Sequence, residues 1–133
     1  MKILFLDDMK ARHDAFDDYA KGHDVSHAWT AEDAIRMLAS ESFDAASLDH
    51  DLADEHYSAP YASPAMGGTA HSGRAVAREI ARAGAPMRVM VHSFNPDGSR
   101  EMCQILKGHV EIYKAPFGPK ACRDWINHVE RSA

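Results

Sequence analysis

Cysteine is nearly absent. Cys103 and Cys122 are the only two in 133 residues, each lies inside a helical pattern, and neither has a CxxC partner. That excludes a disulfide scaffold and a thiolate zinc site, and it fits a reducing, cytoplasmic setting. Long apolar runs are missing as well: no segment approaches the roughly 20 apolar residues that a membrane-spanning helix needs, so no membrane partner is expected. The opening Met1-Lys2-Ile3-Leu4-Phe5-Leu6-Asp7-Asp8 is too short and too quickly charged for a signal segment and reads instead as a core strand. Nor is there a basic excess. With 15 Lys and Arg against 20 Asp and Glu, the net charge is −5, which gives no cationic field for an extended DNA groove but leaves room for a short or terminal nucleotide held through a metal.

The apolar share of 45% and charged share of 26% are those of an ordinary globular domain. A chain of this length buries about two-thirds of its unfolded surface, enough for one domain over residues 1–133 and too little for two. Apolar runs of strand length alternate five times with segments of helical period, the pattern of a parallel sheet covered on both faces. Strands are expected at 2–7, 25–28, 45–49, 87–92 and 110–113. Helices are expected at 9–21 with Gly22 as the stop, after Thr30 with Asp33 as a capping pair, at 72–83, at 96–107, and from Pro119, where Cys122, Trp125, Ile126 and Val129 share one face. Residues 52–71 lack periodicity and hold two prolines and a Gly-Gly pair, which reads as a long loop, either a functional lid or a tolerated insertion.

Ligands of open parallel sheets bind outside the carboxyl ends of the strands, and polar residues gather there. The first strand ends in Asp7-Asp8, the third in Asp49-His50-Asp51, the fourth in His92-Ser93 followed by Asn95, and the fifth in Lys114. Carboxylates brought together repel one another unless a cation neutralises them. Mg²⁺ or Mn²⁺, which prefers oxygen ligands and takes a few carboxylates together with substrate phosphate, is the expected cofactor.

These strand ends resemble the receiver domain of two-component response regulators. Asp7 and Asp8 match its metal-binding acidic pair, Asp49 its phosphoacceptor, Asp51 the residue two further on, and Lys114 with Pro116-Phe117 its lysine and following loop. The resemblance covers nearly the whole chain and implies a flavodoxin-like α/β fold, with a five-stranded parallel sheet in order 2-1-3-4-5 and helices on both faces. Two departures stand out: the inserted 53–71 segment, and Val91-His92-Ser93-Phe94-Asn95-Pro96, which puts His92 at the hydroxyl switch position unless a one-residue shift lets Ser93 fill it. With Leu48-Asp49-His50-Asp51-Leu52, these departures are similar to the cyclic-phosphate-processing receiver domains. That resemblance implies metal-dependent phosphoesterase action on cyclic or terminal phosphates of nucleotides or RNA ends. In that reading Asp7, Asp8, Asp49 and Asp51 form the metal set, Asp49, His92 and Lys114 are catalytic, and Ser93 and Asn95 contact the ligand.

The residues alone leave alternatives open. An imidazole at position 92 adds a group that titrates near neutrality and can protonate a leaving alkoxide, a task that phosphodiester cleavage needs and a signalling switch does not. Asp49 serves as nucleophile or as metal ligand. Ser93 and Asn95 are equally suited to capping the helix before Pro96, and His50 should turn to the other face for packing. Arg12 and His13, one turn into the first helix, are expected to be solvated. The rival functions are a signalling receiver phosphorylated on Asp49, acting through a protein partner because no output domain is attached, and a non-catalytic binding domain.

Overall fold

The computed structural model describes residues 1–52, 72–86 and 88–132; the expected loop at 53–71, with Tyr57, Tyr61 and His71, and the expected strand residue Met87 lie outside them. Strands β1 (Lys2–Leu6), β2 (Asp24–Ala28), β3 (Ala45–Leu48), β4 (Arg88–Val91) and β5 (Glu111–Lys114) alternate with helices α1 (Lys10–Tyr19), α2 (Ala31–Ser40), α3 (Gly73–Ala83), α4 (Pro96–Leu106) and α5 (Pro119–Ser132). The sheet is fully parallel, in order β2-β1-β3-β4-β5. It is the flavodoxin-like arrangement expected from the sequence.

Period-two alternation in the strands feeds two apolar layers. Leu4, Leu6, Leu48, Val89 and Val91 face α2, α3 and α4, while Ile3, Phe5, Ala45 and Met90 face α1 and α5. The expected stripe of α5 is the buried one: Cys122, Trp125, Ile126 and Val129 all pack against the sheet. Each such large apolar side chain contributes about 1.5–3 kcal/mol on burial. The capping pair also forms, with the Thr30 hydroxyl accepting from the Asp33 N–H at 3.0 Å. Helix α1 stops at Tyr19, three residues before Gly22, whose φ of 96° carries the chain into the turn toward β2.

Sheet order reverses at β1, which has β2 on one side and β3 on the other, so the switch point lies between the ends of β1 and β3. One residue past the strands, the ladder still holds the backbone. Asp7 donates its N–H to Ala28, Asp49 to Leu6, His92 to Leu48 and Ala115 to Val91, at 3.0–3.2 Å. These four residues therefore stand at one level along the carboxyl rim.

Candidate metal and phosphate site

Asp7, Asp8 and Asp49 converge at the switch point, each offering an oxygen within 4.8 Å of the others. Asp7 is fully buried and Asp49 is 3% exposed, while Asp8 is partly open. Asp51 is not in this cluster. It sits at the margin, exposed, accepting from the His50 ring at 2.7 Å and from the Asn95 amide at 3.1 Å. Asn95 also caps α4 by accepting from Gly98 N–H at 2.9 Å, the capping alternative its sequence position offers. The Ser93 hydroxyl accepts from Asn95 N–H at 3.0 Å and borders the cleft. His50 packs its ring under Gly98, where an added Cβ would meet it at 2.5 Å.

Among the described residues, Arg12 is the cation that touches Asp7 and Asp49. Its guanidinium lies 3.1 Å from Asp7 and 3.4 Å from Asp49, and it is not the solvated side chain expected from the sequence. The signal is visible in hindsight: Met9 N–H bonds the Asp7 carboxylate at 2.9 Å, α1 starts at Lys10, and position 12 follows within the first turn, directly over the end of β1. Lys114 takes another place. In register it pairs with Val91, which pairs with Leu48, and Leu48 with Leu6, so its side chain leaves the sheet on the α4 side. The rim position on β5 belongs to Ala115. The expected meeting of Lys114 with the three aspartates is therefore replaced by Arg12, for a reason of one residue of register.

His92 also has a different setting from a rim acid. It is completely buried, stacked on Phe5 with ring centroids 5.0 Å apart and edged by Phe117. Its Nε2 donates to Asp7 at 2.9 Å and its Nδ1 meets the Ser47 hydroxyl at 2.7 Å. Burial holds the ring below its ordinary pKa, so it is neutral, donating through Nε2 and accepting from Ser47. Asp7 is gripped again from α1, where buried His13 donates Nε2–H to its backbone carbonyl at 2.8 Å. His13 is stacked on Trp29 and is likewise not solvated.

The two central acids diverge electrostatically. Burial opposes charge on Asp7, but the bonds from His92, Met9 N–H and Arg12 outweigh it, and its carboxyl titrates below the usual range. Asp49 is pushed up to about 7 by burial and by the Asp7 charge, against a partial counter-effect from Arg12. Asp8, Arg12, Asp49, Asp51, Ser93 and Phe94 line an open cleft of roughly 230 Å³ above the pair. The end of β3 is fixed from below by Gly73: its N–H donates to the His50 carbonyl at 2.9 Å, and any Cβ there would strike the Asp49 carbonyl.

Fold and site together define a receiver-type domain. The structure is similar to the signal receiver domain of a LuxO repressor protein from Vibrio parahaemolyticus, at a TM-score of 0.70 and 18% identity, covering 98% of this chain and 91% of that one. It is similar to a CheY-like receiver domain from Methanospirillum hungatei, at 0.68 and 17%, over 99% and 98%. It is also similar to a response regulator protein from Burkholderia pseudomallei with a phosphorylated aspartic acid, a calcium ion and citrate, at 0.67 and 14%, over 98% and 71%. No curated protein matches the sequence. Within the class, the chain belongs to the cyclic-phosphate processing receiver domain family, which matches residues 2–108. That match ends before β5, so Lys114 lies outside it.

Proposed function

We propose that this domain, reading residues 1–133 as one unit, is a phosphoesterase that takes cyclic or terminal phosphates of nucleotides or RNA ends into the cleft above Asp49. The observation that carries the reading is the convergence of Asp7, Asp8 and Asp49 at the switch point with Arg12 bridging two of them. The donor set fits Mg²⁺ or Mn²⁺: it is all oxygen, with three carboxylates gathered within 4.8 Å and the one guanidinium of Arg12 against two of them. When bound there, a divalent ion supplies positive charge against phosphoryl oxygens.

The chain's own residues divide the remaining work. Asp8 and Asp49 meet the ligand's side of the cleft, and Asp49 is the central acid, as nucleophile or as ligand to the ion. Arg12 faces the phosphoryl oxygens. His92, walled in behind Asp7, is a positioning residue that keeps one carboxylate ionised and aimed. The leaving oxygen departs into the open side of the cleft, where solvent supplies its proton. Asp51, Ser93 and Asn95 shape the margin, and Lys114 adds charge from the neighbouring surface. No helix among the described residues is long and apolar enough to cross a membrane, and both cysteines are free, which supports a cytoplasmic setting.

A second reading rests on the similarity to a receiver with a phosphorylated aspartic acid: Asp49 accepts a phosphoryl group and a protein partner responds. One experiment separates them. The protein is incubated with Mg²⁺ or Mn²⁺ and either a 2′,3′-cyclic nucleotide, followed by phosphorus NMR, or acetyl phosphate, followed by intact mass. Turnover without an adduct is expected. A stable single-phosphoryl adduct without turnover establishes the signalling reading, and neither result leaves a binding domain.

A further inference from the structure

Among the described residues, two large apolar side chains stand exposed, Phe94 at 60% and Met9 at 45%, and both border the acidic cleft. Every other large apolar side chain among the described residues is at least partly buried, so the exposed aromatic ring stands beside the most polar site of the described surface. Phe94 is also a partition. On one side it lines the acidic cleft, with the Arg12 guanidinium 5.2 Å from its ring centroid. On the other it walls a second cleft of roughly 220 Å³ with Pro96, Ala115 and Pro116, mostly apolar in surface and edged by Lys114.

We infer that this second cleft is a nucleobase subsite. The inference rests on the phosphoesterase reading and names its substrate as a nucleoside phosphate, with the phosphate among Asp8, Asp49 and Arg12 and the base against Phe94. Three features select that occupant. The slot is the size of one flat ring system. Its walls are an aromatic face and two proline rings, which stack bases without reading their edges, so the subsite accepts different bases. Cations stand at both ends, Arg12 on the acidic side and Lys114 on the far side, so an anionic ester spans the ridge between positive charges. The sugar crosses over Phe94 and Ser93, the two residues common to both clefts.

The test compares three probes by NMR titration in Mg²⁺: adenosine 2′,3′-cyclic phosphate, a short RNA ending in a 2′,3′-cyclic phosphate, and ethylene glycol cyclic phosphate, which has no base. The parent should bind the adenosine compound about 10-fold more tightly than the base-free one. Phe94→Ala should erase that margin, and Ala115→Leu, which crowds the slot, should erase it equally. Equal affinity for all three probes, or a margin that survives both variants, overturns the base subsite even if base-free cyclic phosphate is hydrolysed, so its failure is distinct from failure of the phosphoesterase reading. Binding of none of the three overturns both. Preference for the RNA over the free nucleotide identifies the source of the ligand, and either preference supports the site.

Discussion

The two halves of the carboxyl rim are built on opposite terms. Over β1 and β3 the side chains are buried, ionisable and tied to one another: Asp7 answers to His92, Met9 N–H and Arg12, and Asp49 answers to His50 N–H and Arg12. Beside Phe94, Pro96, Ala115 and Pro116 the surface is open and largely apolar, and Phe94 and Lys114 reach solvent. In the first half, stability and chemistry reside in the same atoms, so a substitution changes both. In the second they are separable, so a substitution should change what binds and little else.

The largest effect that sharpens this contrast comes from Asp49. Asp49→Asn should lower turnover at least ~10²-fold by removing the central charge of the site, and in chelator it should make the protein more stable. The folded-state value of Asp49 is raised to about 7 from 3.8. Its stabilising contribution is therefore complete below the unfolded value and is lost as pH rises through about 7. The parent should thus fall behind Asp49→Asn between pH 4 and 7 by a few kcal/mol, roughly, and the gap should stay flat above that. Urea melts of both proteins across this range measure it, and a gap independent of pH would break the electrostatic account of this half.

Next come the two supports behind the acids. His92→Ala takes one of three donors from the buried Asp7 carboxylate, leaving Met9 N–H and Arg12, and opens a void beside Phe5, a loss of about 3 kcal/mol. Because the ring does not reach the cleft, turnover at saturating cation and low temperature should persist within about 10-fold, with the shape of the pH–rate profile unchanged. Abolished turnover in a folded variant that still binds cation would return His92 to an acid/base role. Gly73→Ala drives a Cβ into the Asp49 backbone carbonyl, which cannot swing aside as a side chain can, and should also cost about 3 kcal/mol while displacing the third acid. Gly98→Ala is the milder control: its Cβ meets the His50 ring, a side chain able to swing aside, so about 1 kcal/mol is expected with turnover kept.

How legible all this is in the chain follows the same division. Local signals carry far: alternation marks the two apolar layers, Thr30 with Asp33 marks a helix start, and the stripe Cys122, Trp125, Ile126, Val129 marks the buried face of α5. The acids are legible because strand ends in a parallel sheet share one rim, so Asp7, Asp8 and Asp49 meet whatever the loops do. What escapes is anything that turns on one residue of register or on a contact distant in sequence. Lys114 and Ala115 are equally plausible rim residues until the ladder to Val91 is known, and that ladder decides for Ala115. His92 lies 85 residues from Asp7, and nothing near it in sequence announces burial between Phe5 and Phe117. Gly73 gives no sequence sign that it abuts Asp49.

The smallest expected effect tests the comparison most directly, because it sets two cations against each other. Arg12→Ala removes the charge that holds Asp49 down, so the Asp49 carboxyl should titrate above 7 in chelator, visible in its carbon chemical shift, and a phosphate ester should bind about 10-fold more weakly. Lys114→Ala should leave the Asp49 titration where it is, change stability by no more than about 0.5 kcal/mol, and weaken only ligands that extend past Phe94, by a few-fold and less so at high salt. The asymmetry follows from register alone: Arg12 stands over the ends of β1 and β3, whereas Lys114 leaves β5 on the face of Val91 and Leu48. A Lys114→Ala variant that shifted Asp49 as far as Arg12→Ala does would mean that the lysine reaches the acids in solution, and the rim would then be one site with two cations.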